Sequence, residues 1–246
     1  MPNHVRTNCI ITGPKEEISR FIEKMIQGED GNDSFDFNQI VPMPDDIKNT
    51  ESSSTVMDGL NIFGYEVSFI DKIPKFVGKY NALSPMLKCS WIRNDGITTI
   101  EGVEKKLLER NPNAIEKGKK ALEAFNKYGH ISWYGWSIEN WGTKWNSYGF
   151  CMNDQKDDRV EFEFDTAWSF PEPIFTALSK EFPLLKFDVA SFDEGHNFCL
   201  SGVYMDAFDV IDYYKSEDCD PLDDDVVAKI YERVYGERYV LDEDDE

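Results

Sequence analysis

A run of six residues, Val160-Glu161-Phe162-Glu163-Phe164-Asp165, constrains the fold of this chain more than any other segment. Its apolar and acidic residues alternate strictly, which is the pattern of a β-strand with one buried and one solvated face. Strands of this kind occur in antiparallel sheets that have one wet face. The run therefore predicts an antiparallel sheet in the second half of the chain.

Further strand and helix signals lie on both sides of this run. Tyr148–Met152 predicts a strand before it, and Ser169 and Pro171 introduce a helix after it. Two more alternating stretches, at 187–191 and 198–202, predict two further strands. The second half of the chain is thus predicted to be β-β-α-β-β.

The chain begins with a predicted β-α-β unit. Residues 4–11 alternate as a strand, and Gly13-Pro14 places a proline at the first position of a helix. One apolar stripe runs along this helix, made by Ile18, Phe21, Ile22, Met25 and Ile26. Phe35–Ile40 predicts a second strand, which ends before Pro42.

The middle of the chain has a different pattern. Residues 45–59 are polar and serine-rich and predict a surface loop, whereas residues 72–128 have helical periodicity. The whole pattern predicts an α+β fold: a split ferredoxin-like βαββαβ antiparallel sheet with a helical insertion and a C-terminal acidic helix. Its predicted parts are 1–44 (first half of the sheet domain), 45–130 (loop and helical insertion), 131–210 (second half) and 211–246 (acidic helix and tail).

Charge is unevenly distributed along the chain. The 47 acidic and 26 basic residues give a net charge of −21. Residues 72–130 hold 12 basic and 6 acidic residues, a net charge of +6, whereas residues 216–246 hold 3 and 13, a net charge of −10. Such a surface steers charged partners, and most of it repels free duplex DNA, whose binding needs positive charge.

Composition and motifs exclude several classes of protein. No apolar run approaches the roughly 18 residues of a membrane-spanning helix, residues 1–6 do not begin a secretory signal, and the five scattered cysteines indicate reduced thiols. We therefore expect a cytoplasmic protein that does not bind membranes.

The sequence has no nucleophile elbow, phosphate-binding loop, zinc-protease motif or dinucleotide fingerprint. We expect no catalytic residue, metal or cofactor, and a binding protein rather than an enzyme.

Four of the six tryptophans lie in one short segment, Trp133–Trp145. Because tryptophan is enriched at interface hot spots, this segment is a candidate binding surface. Its candidate residues are Trp136, Glu139, Asn140, Trp141, Thr143, Lys144 and Trp145. A packed aromatic corner between the insertion and the sheet explains the same residues, because large aromatic side chains are on average highly buried.

Asp193-Glu194-Gly195-His196, with Cys199 three residues further on, is a candidate chemical site. These side chains could supply an acid/base pair or metal ligands. Their spacing matches no zinc signature, which needs four nitrogen or sulfur ligands. A hairpin turn at Glu194-Gly195, with His196 starting the next strand, explains the same residues.

An acidic amphipathic helix is predicted near the C-terminus. Asp220-Pro221 is expected to cap and open it, and the candidate binding residues Asp223, Asp224 and Asp225 occupy its first turn, where the helix dipole favours negative charge. A solvated helix followed by a frayed acidic end is one interpretation. The other is a row of carboxylates that enters a basic groove as a phosphate backbone does.

Several of these segments resemble one known family. They are Met1–His4, Ile11–Pro14, Phe37–Pro44, Glu139–Trp145, Thr166–Ser169 and Asp193–Gly195. In this order they resemble the YubB-like family of plasmid- and phage-encoded proteins, over residues 1–205. The resemblance implies a ferredoxin-like fold and an accessory protein of mobile genetic elements, and it implies no catalytic residues.

Three functions follow as hypotheses. The first is a non-enzymatic phage or plasmid protein whose acidic surface binds and inhibits a host nucleic-acid-handling or defence protein. The second is a single-stranded nucleic-acid or nucleotide binder that uses the basic segment 72–130 and the tryptophan segment. The third is a hydrolase-type enzyme that uses Asp193, Glu194 and His196.

Overall fold

The computed structural model describes residues 3–28, 33–67, 73–215, 218–222 and 224–239. The chain forms two compact units. Met1–Pro42 and Ile138–Glu246 form the first, which we call the sheet unit, and Met43–Ser137 form the second, which we call the helical unit. Within the described ranges, no helix has both the length and the apolar character needed to cross a membrane.

The strands and helices have the following bounds. The strands are β1 (His4–Thr12), β2 (Ile26–Gln27), β3 (Ser34–Phe35), β4 (Tyr65–Val67), β5 (Pro74–Phe76), β6 (Tyr148–Gln155), β7 (Arg159–Ala167), β8 (Lys186–Asp193), β9 (Phe198–Met205) and β10 (Phe208–Lys215). The α-helices are α1 (Lys15–Met25), α2 (Asp45–Lys48), α3 (Ser54–Ile62), α4 (Lys79–Leu83), α5 (Ser90–Arg93), α6 (Ile100–Arg110), α7 (Ala114–Tyr128), α8 (Trp133–Asn140), α9 (Glu172–Glu181) and α10 (Asp225–Tyr235). Short 3₁₀ helices cover Phe37–Gln39 and Ser84–Lys88.

The sheet unit is built on a six-stranded sheet in the order β10-β9-β8-β1-β7-β6, with every neighbouring pair antiparallel. The alternating run lies in β7, where Val160, Phe162 and Phe164 are buried. The sequence-based prediction of an α+β fold with an antiparallel sheet is confirmed. The chain passes through β1, α1, β6, β7, α9 and β8 in that order, and β9 and β10 extend the sheet beyond β8.

The predicted second strand over Phe35–Ile40 is wrong. Within and beside this stretch the paired strand is Ser34–Phe35, which pairs with β2 in a separate two-stranded ladder. The chain then turns because the Asp36 carboxylate accepts a hydrogen bond from the Asn38 backbone N–H at 3.0 Å and so caps a 3₁₀ helix. The edge position next to β7 is taken by β6.

Phenylalanine rings fill the core on one face of the sheet. The rings of Phe21 in α1 and Phe162 in β7 have centroids 6.1 Å apart, and Phe35 lies 5.2 Å from Phe162. Phe175 in α9 packs against Phe187 in β8 at 6.3 Å. All five rings are fully buried, so α1 and α9 are held against the sheet by contacts between aromatic side chains.

Helix α10 covers part of the opposite face of the sheet. Its residues Val227, Ile230 and Val234 are buried in one cluster with Ala190 and Phe192 of β8. Burial of this stripe makes α10 a part of the core rather than a solvated helix. The open face predicted for the sheet is therefore partly closed.

The predicted start of the C-terminal helix is wrong. Asp220-Pro221 precedes it, and the N-cap is Asp224, whose carboxylate accepts hydrogen bonds from the N–H groups of Val226 at 2.7 Å and Val227 at 3.3 Å. Asp225 is exposed in the first turn. Asp223 and the tail from 240 to 246 lie outside the described residues.

The helical unit departs from the predicted pattern in two places. The surface loop predicted for 45–59 is wrong at α2, where Ile47 is buried, and again from Ser53 onward, because Ser53 caps α3 and the Val56 side chain is buried. The helical pattern predicted from residue 72 is wrong at β5, which pairs with β4. Helices α3 and α7 approach closely at Gly59 and Gly118, where a Cβ on Gly118 would lie 2.8 Å from the Gly59 Cα.

Candidate functional site

Five lysines of the helical unit are closely paired with carboxylates of the same unit. The distances from Nζ to the carboxylate oxygen are 2.7 Å for Lys79–Glu104, 2.5 Å for Lys106–Asp95, 2.7 Å for Lys117–Glu51, 2.7 Å for Lys120–Glu116 and 2.7 Å for Lys127–Asp46. A pocket of about 340 Å³ in this unit is lined by some of these paired side chains. The unit holds 13 basic and 12 acidic residues, a net charge of +1. Its positive charge is therefore largely neutralised within the unit.

The tryptophan segment divides into buried and exposed residues. Trp136, Trp141 and Thr143 are buried. The Trp141 indole N–H donates a hydrogen bond to the Val41 carbonyl oxygen at 2.8 Å, so its polar atom is satisfied inside the sheet unit. Glu139 is exposed and Asn140 is half-buried. The remaining two candidates, half-buried Lys144 and exposed Trp145, lie together at the surface.

That surface is formed by Lys144, Trp145 and Trp168, which we call the Trp–Lys patch. The Lys144 Nζ lies 4.5 Å from the ring centroid of Trp145 and 4.6 Å from that of Trp168. Both distances are within cation–π range. The Trp145 and Trp168 side chains are 40% and 45% exposed, which is unusual for the most interface-prone residue type.

Trp168 has a strained backbone. Its φ of 72° lies in the left-handed region, which bulky residues avoid. Its N–H donates to the Asn3 carbonyl oxygen at 3.1 Å, and the Thr166 hydroxyl donates to the Ser169 carbonyl oxygen at 2.7 Å, so hydrogen bonds on both sides hold the turn. Strain of this kind is concentrated at functional sites, where it serves to hold a side chain in place.

Substitutions of Trp168 should show that this backbone conformation costs stability. We expect Trp168→Gly to be more stable than Trp168→Ala by about 1 kcal/mol, because only glycine adopts the left-handed region without a steric penalty. At Trp145, whose φ is not positive, the order should be reversed. Urea denaturation of the four variants measures both differences, and equal stability of the two Trp168 variants would contradict the assignment of strain.

Tyr148 and His4 lie beside the patch. The Tyr148 ring has an edge contact with Trp145 at 6.5 Å, and the Tyr148 hydroxyl donates to the Thr166 carbonyl oxygen at 3.1 Å. The hydrogen bond of 2.8 Å between that hydroxyl and the His4 Nδ1 therefore takes its hydrogen from the imidazole. Burial, together with the charges of Asp165 and Glu194, raises the pKa of Tyr148 to about 12. At neutral pH the phenol stays protonated and cannot act as a base.

The Asp193–His196 segment forms a turn between β8 and β9. Asp193 is 1% exposed, and its Oδ2 accepts hydrogen bonds from the Gly195 N–H at 3.2 Å and from the backbone and side chain of Asn197 at 3.1 and 2.6 Å. Glu194 accepts from the His4 N–H at 2.7 Å. The His196 ring packs against Phe192 at 5.2 Å. Each side chain thus has a structural contact, and in the described part of the chain no group of three or more histidine, cysteine or acidic residues is placed to hold a metal ion.

Sequence reasoning missed three residues at or beside the patch: Trp168, which contacts Lys144, Tyr148, which contacts Trp145, and His4, which is hydrogen-bonded to Tyr148. Trp168 directly follows the end of β7, and Tyr148 and His4 begin β6 and β1. These strand ends lie at the same end of the sheet, as the pairs His4–Ala167 and Tyr148–Asp165 show. The sequence signals for Trp168 are its place three residues after the alternating run 160–165 and inside Thr166–Ser169, one of the segments that resemble the YubB-like family. Assembled, the site presents aromatic surface and the Lys144 ammonium group, which are groups that can bind a partner.

Among the comparisons with known proteins, the matching family model agrees with the fold. Residues 143–228 match a family model described as the ferredoxin-like domain in Api92-like protein. A crystal structure of a protein api92 from Yersinia pseudotuberculosis is 11% identical, covers 87% of this chain and 98% of its own, and has a TM-score of 0.42. No curated protein matches. The phage or plasmid origin implied by the sequence resemblance stays a prediction. Residues 143–228, which include Lys144, Trp145 and Trp168, are similar to the ferredoxin-like domain of Api92-like proteins.

Proposed function

We propose that the chain is a non-enzymatic binding protein whose sheet unit recognises a positively charged protein. The division of charge between the two units carries this proposal. The sheet unit holds 35 acidic and 13 basic residues, a net charge of −22, whereas the helical unit has a net charge of +1. A field of that sign repels nucleic acids and accelerates encounters with basic protein surfaces.

The class of partner follows from the same charge. Extended basic surfaces are typical of proteins that hold nucleic acids. We therefore propose that the partner is a host nucleic-acid-handling or defence protein. The chain, as a phage or plasmid accessory protein in the cytoplasm, inhibits this partner by occupying its basic groove.

We also infer that the sheet is the split ferredoxin-like βαββαβ arrangement. The strand order β8-β1-β7-β6, with α1 and α9 as crossovers, supports this topology.

A pull-down from nuclease-treated bacterial lysate tests the proposal. The full-length chain is expected to retain nucleic-acid-binding proteins at about 50 mM NaCl and to release them at about 500 mM, because salt screens interactions between exposed charges. Nuclease treatment prevents nucleic acid from bridging the two proteins. Retention of no nucleic-acid-binding protein at low salt would contradict the proposal.

Single-stranded nucleic-acid binding is the second candidate. The observation that favours it is the Trp–Lys patch, because exposed indoles beside a lysine can stack bases and contact phosphate. The paired lysines of the helical unit weigh against it. A gel-shift assay with single-stranded oligonucleotides separates the candidates: binding that is lost in Trp145→Ala and in Lys144→Ala would favour this second function.

A further inference from the structure

We infer that Trp145 and Trp168 form a clamp for an arginine side chain of the protein partner, and that Lys144 occupies this clamp while the partner is absent. The inference rests on the proposed function, because it requires a positively charged protein partner. The partner inserts an arginine, and the departure of Lys144 makes room for it. We call the two rings the tryptophan clamp.

The distances show that the tryptophan clamp already holds a cation. The Lys144 Nζ lies within 4.6 Å of both ring centroids, so one ammonium group is shared by two indoles. Tryptophan has the most favourable ring for cation–π contact. Because both rings are close to half exposed, the same site can be reached by a cation from another molecule.

Hydrogen bonds within the sheet unit fix the backbone on which Trp145 and Trp168 stand. On the Trp145 side, the buried Thr143 hydroxyl donates to the Trp145 carbonyl oxygen at 2.6 Å. On the other side, hydrogen bonds from Trp168 to Asn3 and from Ser169 to the Gly142 carbonyl oxygen tie the two turns together. Rings that are held in place before binding lose little conformational entropy when a ligand enters.

Negative charge near the clamp favours a cationic ligand. Asp165 and Glu194 both act electrostatically on Tyr148, whose ring contacts Trp145. Asp165 is paired with Arg6 at 3.0 Å, which leaves Glu194 as the exposed carboxylate of the two. Nucleic-acid phosphates would be repelled by the Glu194 carboxylate.

Arginine is favoured over lysine as the inserted residue. Its planar guanidinium stacks on aromatic faces and is more weakly hydrated than an ammonium group, so two neighbouring indole rings suit it better. Lys144 then leaves the two rings when the arginine enters. Lys144 is accordingly a competitor of the ligand.

The test measures binding of a fluorescent deca-arginine peptide to full-length variants by anisotropy. Lys144→Met, which keeps the aliphatic stem but removes the charge, should bind the peptide more tightly than Lys156→Met, which changes the net charge equally at an exposed turn. Trp145→Ala and Trp168→Ala should each weaken binding about tenfold. Phe208→Ala, at an exposed aromatic residue of β10, is the matched control and should bind as the wild type does.

The outcomes separate this inference from the proposed function. If Lys144→Met binds no more tightly than Lys156→Met, or if Trp168→Ala and Phe208→Ala bind alike, the clamp is overturned while salt-sensitive binding of the peptide still supports the proposed function. If the wild type does not bind the peptide at low salt, the proposed function itself fails. Circular dichroism of each variant confirms that it is folded.

Discussion

Replacing Phe162 with alanine is expected to lower the free energy of unfolding by about 3–5 kcal/mol, the largest effect we expect from one substitution. Phe162 is fully buried in β7 and contacts the rings of Phe21, Phe35, Phe150 and Phe164 at centroid distances of 6.1, 5.2, 5.6 and 6.1 Å. Its removal takes contacts from α1 and from two strands at once.

Urea denaturation of the full-length chain measures this loss. Phe208→Ala is the control, because the Phe208 side chain is 66% exposed, and it should change stability by less than about 0.5 kcal/mol. Similar stabilities for the Phe162 and Phe208 variants would show that the phenylalanine cluster does not hold the sheet unit together.

Replacing Asp193 with alanine is expected to cost about 3 kcal/mol of stability, because a buried carboxylate that accepts several hydrogen bonds is lost and its backbone donors are left unsatisfied. The donors are the N–H groups of Gly195 and Asn197 and the side-chain amides of Asn197 and Asn3. This outcome would give Asp193 a structural role, in contrast to the hydrolase hypothesis.

Glu194→Ala is the matched control for this measurement. Glu194 is exposed and accepts a hydrogen bond from the His4 N–H, so its loss should cost no more than about 1 kcal/mol. If Asp193→Ala is as stable as Glu194→Ala, the structural role of Asp193 is contradicted. The hypothesis of a hydrolase-type site at Asp193, Glu194 and His196 would then be favoured again.

Strands with strong alternation were predictable from the sequence, and strands without such a signal were not. The run at 160–165 marks β7 because its two faces differ in polarity. Strand β10 was missed because the turn before it, Asp206-Ala207, lacks the glycine of a common hairpin, although both residues have positive φ values of 50° and 62°. Phe35–Ile40 was mistaken for a strand because its apolar spacing hides the capping role of Asp36.

The site was predictable only in part. Lys144 and Trp145 belong to a tryptophan-rich segment that composition alone marks out. Trp168 lies 23 residues beyond Trp145, and its place beside Lys144 depends on strand register and on a positive φ, neither of which a single sequence encodes visibly. Which tryptophans are buried was also undecidable, because burial depends on the partner atoms that each indole N–H finds.

The role of the C-terminal helix was underestimated for a physical reason. Its acidic residues suggested a solvated element, but Arg233 donates hydrogen bonds to the Asp188 carboxylate at 2.6 Å and to the Asn8 amide oxygen at 2.9 Å. These polar contacts cross the sheet face and add to the buried stripe of α10. Only the register of β1 and β8 brings Asn8 and Asp188 together beneath the helix.

The central claim is that the sheet unit, rather than the helical unit, recognises positively charged protein. Anisotropy titration of the full-length chain with deca-arginine compares two variants that each lose three exposed carboxylates: Asp206→Asn, Asp209→Asn and Asp212→Asn in the sheet unit, and Glu101→Gln, Glu109→Gln and Glu123→Gln in the helical unit. We predict that the sheet-unit variant binds several-fold more weakly than the wild type and that the helical-unit variant binds as the wild type does. Equal affinities of the two variants would contradict the claim.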